Sequence, residues 1–229
     1  MPNATAVLSE LDTLIAQRSI LQHPFYRAWT AGALTREDLA VYARVYYPHV
    51  AAFPGYLRSA MATSQDAAVT STLTDNLRDE LSVPAPHNEL WLRFAEAVGV
   101  NSRTVRTTPA AEGVAAVTGT FGRLCASTPA RALAALYAYE SQQPAVSNEK
   151  IAGLREQYGV TQDRALAYFT VHAETDIAHR EGERRALEAC LEAGATRDEV
   201  IDAASQALDA YWQLLDAVCA ERRALVALS

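Results

Sequence analysis

Between Thr170 and Glu183 the chain reads TVHAETDIAHREGE, which places His172, Asp176 and His179 in an H-x3-D-x2-H pattern. No proline interrupts the stretch and its only glycine is Gly182, so it is predicted to be helical. At about 100° per residue, offsets of four and seven bring the three side chains back to within about 40° of one line. Two imidazoles and a carboxylate on one stripe are half of a metal site. The same residues could equally be polar groups on a solvated helix face, so the rest of the chain must discriminate.

A dimetal carboxylate site in a helical bundle draws about six donors from facing helices. Only five histidines exist, and two are already on the stripe. The segment RDELSVPAPHNELW offers Glu80 at the end of one predicted helix and His87 at the start of the next, so both can point into one cavity. The bland alternative makes Glu80 a surface acid and His87 a capping residue. Glu140 ends the apolar run LAALYAYE, where a carboxylate needs a partner. A metal would serve, as would an arginine. His23 precedes Pro24 at a break, a poor seat for an axial haem ligand, and His49 follows Pro48 on an apolar helix, which suits a core or supporting role. Cys125, Cys190 and Cys219 are widely spaced, with no C-x2-C, and read as reduced thiols.

The elements that must carry these groups are helices. Half of the 229 residues are hydrophobic, Gly and Pro are sparse, and no stretch alternates as a strand would. Predicted helices cover Val7–Ser19, Phe25–Ala31, a long segment from Thr35 towards Ala62, Ala67–Leu81, Asn88–Val98, Ala110–Ala126, Ala130 to about Gln142, Ser147–Tyr158, 162–193 and 198–227. Pro48 and Pro54 are expected to kink or break the long one. The segment 101–109 reads as a polar loop, and VPAP (83–86) as an irregular link. Short links and no repeat imply one all-α bundle of about seven to nine helices spanning 1–229 as a single domain.

The formal net charge of −7 leaves no basic patch for phosphates, which argues against nucleic acid or an anionic membrane as partner. No apolar run approaches a bilayer span, and MPNATAVLSELDTLI lacks the pattern of a signal peptide, so a cytoplasmic location is expected. Of the 20 basic residues, 19 are arginine and one, Lys150, is lysine. Arginine-rich coding explains the depletion but not the survivor.

Taken together, HPFYRAWTAG (23–32), YYPHVAAFPGYL (46–57), the acid pair at 79–80 with PHNELW (86–91), YAYESQQPAVSNEK (137–150) and YFTVHAETDIAHR (168–180) resemble the CADD-like branch of the haem-oxygenase-like diiron oxidases, whose fold is shared with PqqC and TenA proteins. The resemblance runs over most of the chain. It implies a haem-oxygenase-like bundle and two metal ions, Fe/Fe or Fe/Mn, on Glu80, His87, Glu140, His172, Asp176 and His179. It also implies O2 and an external reductant as co-substrates, and p-aminobenzoate for folate synthesis as product. In such proteins the ring is thought to come from an internal tyrosine and the nitrogen from a lysine; the matching residues are Tyr26 and Lys150. Arginine could not replace that lysine, because a guanidinium stays protonated. Tyr139 and Tyr168 match tyrosines near the family's metals, and a homodimer is common in the superfamily. Two other readings stay open: a multiple-turnover dimetal oxygenase acting on a free small molecule, and a non-enzymatic helical interaction module.

Overall fold

The structure, a computed structural model, describes residues 3–82 and 84–228. Met1 and Pro2, at the start of the segment tested for a leader, and Val83, in the VPAP link, lie outside the described residues. Eleven α-helices follow in chain order: α1 (Ala4–Gln17), α2 (Pro24–Thr30), α3 (Arg36–Thr63), α4 (Ala67–Ser82), α5 (His87–Ala97), α6 (Ser102–Thr107), α7 (Glu112–Cys125), α8 (Pro129–Glu140), α9 (Gln143–Glu156), α10 (Asp163–Glu192) and α11 (Arg197–Leu228). Two of these, α2 and α6, are only one or two turns long. The remaining nine match the upper end of the expected number, and no strand occurs among the described residues. None of the described helices is long and apolar enough to cross a membrane.

The helix ends follow local chemistry. Thr35 and Asp38 form a capping box at the start of α3: each side chain accepts a hydrogen bond from the other's backbone N–H. Arg222 of α11 then clasps the Asp38 carboxylate through two nitrogens at 2.7 and 2.8 Å, tying the end of the last long helix to the start of the first. Gly194 stops α10 with a φ of 109°, a conformation that a side chain would oppose.

Two expected interruptions are absent here: the break at Pro48 or Pro54 and a loop filling all of 101–109. Helix α3 runs through both Pro48 and Pro54 without a break. Each proline removes one N–H from the ladder, but the segment is buried on several sides, and packing outweighs the two lost bonds. The Trp91 indole also donates to the Ala43 carbonyl, just before the first gap, at 2.7 Å. The segment 101–109 is not all loop. Asn101 caps α6 by accepting from Arg103 N–H, and Val105 plugs into the core.

Helix α8 is the axis of the bundle. From Ala132 to Glu140 every residue is buried, as expected of a helix apolar on all sides. Helices α7, α10 and α11 pack around it, while α10 also meets α4, α5 and α9. This arrangement aims the end of α4, the start of α5, the end of α8 and the middle of α10 at one interior point. On the other side α9 approaches α2 closely enough that a methyl group on Gly153 would overlap the buried Trp29 indole, coming within 2.7 Å of its Cδ1. Gly153→Ala should therefore destabilise the protein by about 1–3 kcal/mol. Urea denaturation measures this, and an unchanged midpoint would show that α2 and α9 are not held so close.

Candidate metal centre

The six predicted donors all reach that interior point. Glu80 comes from the last turn of α4, His87 is the first residue of α5, Glu140 is the last of α8, and His172, Asp176 and His179 line α10. Their exposures range from 0 to 8 %. They divide into two triads, Glu80–His87–His172 and Glu140–Asp176–His179; within each, one potential donor atom per residue lies within 4.8 Å of the others. Either triad could hold one ion.

In the first triad, Glu80 Oε1 is 2.9 Å from His87 Nδ1 and 3.6 Å from His172 Nε2. His172 Nδ1 lies 2.7 Å from the Tyr168 carbonyl, which can only accept. Its proton is thereby placed on Nδ1, and Nε2 is left for a metal. In the second triad, His179 Nδ1 is 3.2 Å from Asp176 Oδ1 and 4.0 Å from Glu140 Oε2. Its far nitrogen, Nε2, is 3.0 Å from Asp79 Oδ2, so Asp79 orients the ring as carboxylates do behind ligating histidines. Asn76 donates to both Glu140 oxygens at 2.9 Å. Asn76 and Asp79 were not read as functional from the sequence. Asn76 lies one turn before Glu80, on the same face of α4, and that spacing is the signal that could have found it.

The electrostatics fit cations. Burial drives the Glu80 carboxyl up, but hydrogen bonds from His172 and His87 outweigh it and hold it at about 2. Burial raises the Glu140 carboxyl despite His179 nearby, and the carboxylate also sits at the negative end of the α8 dipole. Burial would lower His179, yet the Asp176 hydrogen bond and the Glu140 charge lift it to about 10. The buried Asp176 Oδ2 has no hydrogen-bond partner. A set of crowded, buried carboxylates balanced only by imidazoles is what a pair of divalent ions would complete.

Beside the triads is a cavity of about 10 Å³, lined by Val50, Phe53, Glu80, Tyr139, Glu140, Tyr168, His172 and Asp176. That is room for about one water-sized molecule. A surface groove of about 430 Å³ between α4, α8, α10 and α11 shares no residue with the site. Tyr139 and Tyr168 thus flank the cavity. Behind them is an aromatic chamber: Tyr46 hydrogen-bonds Tyr139 hydroxyl to hydroxyl at 3.0 Å and stacks on Trp91 at 5.0 Å. Lys150 Nζ lies 5.2–5.5 Å from the ring centres of Tyr26, Tyr42, Tyr46 and Phe169. Tyr26 and Lys150, far apart in sequence, are therefore neighbours, and both are essentially inaccessible. Burial lowers Lys150 to about 7 and pushes the Tyr26 phenol far up.

The other histidines and the cysteines lie outside the triads. His23 caps α2, with Nδ1 accepting from Phe25 N–H at 3.0 Å and Nε2 at 3.2 Å from Asp216. His49 is enclosed by Phe53, Tyr56, Phe121 and Tyr139, and burial drops it to about 3, a neutral core residue. All three cysteines are free, and burial raises each thiol, so none is activated.

Two outcomes follow from this geometry. Asp79→Asn should weaken metal binding about 10–100-fold by freeing the His179 ring, as read by equilibrium dialysis with metal analysis; wild-type affinity would remove Asp79 from the site. Lys150 binds fewer protons folded than unfolded between about pH 7 and its ordinary 10.5. Stability should therefore rise with pH across that window, by up to about 1.4 kcal/mol per pH unit, relative to Lys150→Met. Denaturation midpoints from pH 7.5 to 9.5 test this, and parallel curves for the two proteins would refute it.

The family described as "Iron-containing redox enzyme" matches residues 40–212 of the chain. A 4-aminobenzoate synthase of Chlamydia muridarum is 38% identical over 210 residues, which is 91% of this chain and 88% of that protein. Among solved structures, a TenA homologue from Pseudomonas syringae superposes with a TM-score of 0.80 at 18% identity, covering 95% of this chain and 96% of that one. A domain with a haem-oxygenase-like fold from Shewanella denitrificans gives 0.79 at 17% identity, covering 97% and 94%. The bundle thus has the haem-oxygenase-like fold, two clusters of donors support a dimetal centre, and the chain belongs to the family of iron-containing redox enzymes.

Proposed function

We propose that this protein is an O2-dependent 4-aminobenzoate synthase that consumes its own Tyr26 side chain and takes nitrogen from Lys150. The observation that carries the reading is the pairing of Lys150 with Tyr26 in a closed aromatic chamber beside a cavity too small for an organic substrate. An enzyme acting on a free aromatic or aliphatic molecule needs a pocket of a few hundred Å³ at its reacting centre. Here the space at the metal donors suits O2 and little else. The relatives named 4-aminobenzoate synthase support the product. A tyrosine side chain and 4-aminobenzoate also share one carbon skeleton, a benzene ring with a single carbon para to the heteroatom.

Glu80, His87 and His172 would hold one ion, and Glu140, Asp176 and His179 the other. Donors of this kind suit Fe/Fe or Fe/Mn. When bound, the metals would reduce O2 with electrons from an external reductant and so supply oxidising equivalents. The protein does the rest. Tyr139 and Tyr168 flank the cavity, and the Tyr139–Tyr46 hydrogen bond leads towards the rings that surround Lys150. The chamber keeps water from the ring being oxidised. With its pKa near 7, Lys150 presents a neutral amine at physiological pH without a carboxylate to recapture the proton. The free cysteines accord with a reducing cytoplasm.

Because Lys150 is the one lysine, protein grown on lysine labelled with heavy nitrogen at Nζ marks this residue alone. Reaction of that protein with Fe(II) or Fe(II)/Mn(II), reductant and O2 should give heavy 4-aminobenzoate. The spent chain should lose the Tyr26 side chain and the Lys150 Nζ nitrogen, two changes that peptide mass mapping locates at these two residues. Tyr26→Phe should bind metal normally and form no product. Light product, or many turnovers on a chain of unchanged mass, would contradict the proposal.

A further inference from the structure

One acidic residue of the α10 stripe has no role so far. Glu183 lies four residues beyond His179 and eleven beyond His172. Eleven residues are three turns with about 20° to spare, so its side chain projects along the line of His172, Asp176 and His179. It is fully buried. Among the described residues no Arg, Lys or His pairs with its carboxylate; the side chain within hydrogen-bond reach of it is another acid, Glu140. The charges that face it are the Glu140 and Asp176 carboxylates, and the Cys125 thiol is also close enough to feel it.

This is an expensive arrangement unless something positive completes it. An apolar side chain of the same size would sit more easily against α7 and α8, and a buried acid without a counter-charge is among the costliest groups in a folded chain. The missing counter-charge cannot come from the surface, because the arginines of α10 are engaged or exposed elsewhere, such as Arg184 on Asp12. It can come from an ion held by the acids that Glu183 faces.

We propose that Glu183 is a fourth protein ligand of the second metal, beside Glu140, Asp176 and His179. The inference rests on the dimetal reading above and extends it. It makes the two sites chemically unlike. The first would offer two imidazoles and one carboxylate, the second one imidazole and three carboxylates. The oxygen-rich site then favours the harder ion, and its extra anionic ligand stabilises that ion at higher charge.

Anaerobic titration of the full-length, metal-free protein with Mn(II), followed by equilibrium dialysis and electron paramagnetic resonance of bound Mn(II), tests this. Wild type should take two equivalents. Glu183→Gln should keep the first and bind the second about 10–100-fold more weakly, with an altered spectrum for the remaining second-site ion. Glu183→Asp, which keeps the carboxylate, should bind more tightly than Gln. Metal-free Glu183→Gln should melt no lower than metal-free wild type, because one of three crowded buried acids has been replaced by an amide of the same shape. Two equivalents at wild-type affinity in Glu183→Gln would overturn the assignment while leaving the dimetal reading standing. Failure of the wild type itself to bind Mn(II) or Fe(II) would overturn both.

Discussion

Four carboxylates, those of Glu80, Glu140, Asp176 and Glu183, are buried where α4, α8 and α10 converge, and among the described residues no arginine or lysine pairs with any of them. Desolvated acids of one sign repel one another and oppose folding. The bundle tolerates them because three imidazoles stand among them and because the donor atoms fall into two sets, each compact enough to grip an ion. Much of the rest serves that placement. The all-round apolar α8 puts Glu140 at the centre, the irregular link after α4 turns Glu80 towards His87, and the length of α10 lets one stripe face both triads.

The same interior separates oxidising chemistry from water. Charge elsewhere is handled at or near the surface by arginine pairs such as Arg222–Asp38 and Arg131–Asp202, of which the exposed ones contribute little to stability. Lys150 is the exception. It is enclosed by aromatic rings with no ion pair among the described residues, and burial brings its pKa close to neutrality. A guanidinium in that chamber would remain charged and would present no free amine. The survival of one lysine in a chain otherwise built with arginine is therefore intelligible as chemistry, not composition.

Much of this is legible in the sequence. The α10 stripe shows in the sequence because helical periodicity is local, and Glu140 stands out because a carboxylate in an apolar run has few explanations. Glu80 and His87 are legible as a pair straddling a break. Asp79 and Tyr46 are not, because nothing in their own neighbourhoods distinguishes them from surface polar or core aromatic residues, and only the meeting of α3, α4, α8 and α10 gives them partners; Asn76 and Glu183 carry a helical spacing to Glu80 and His179, but a spacing that solvated polar residues share. The continuity of α3 through Pro48 and Pro54 is likewise a tertiary effect, in which packing on several faces outweighs a local cost. Asn101 announces α6, since an Asn before a short helical run is a capping signal, but the polar composition of 101–109 masks it.

The central claim is that the aromatic ring of the product originates inside the protein. The most direct measurement uses protein grown on ring-labelled tyrosine, purified, and allowed to react with metal, reductant and O2 in unlabelled buffer. The expected result is 4-aminobenzoate carrying the full ring label, at no more than one molecule per chain. Unlabelled 4-aminobenzoate, formed repeatedly by chains that keep Tyr26 intact, would contradict it.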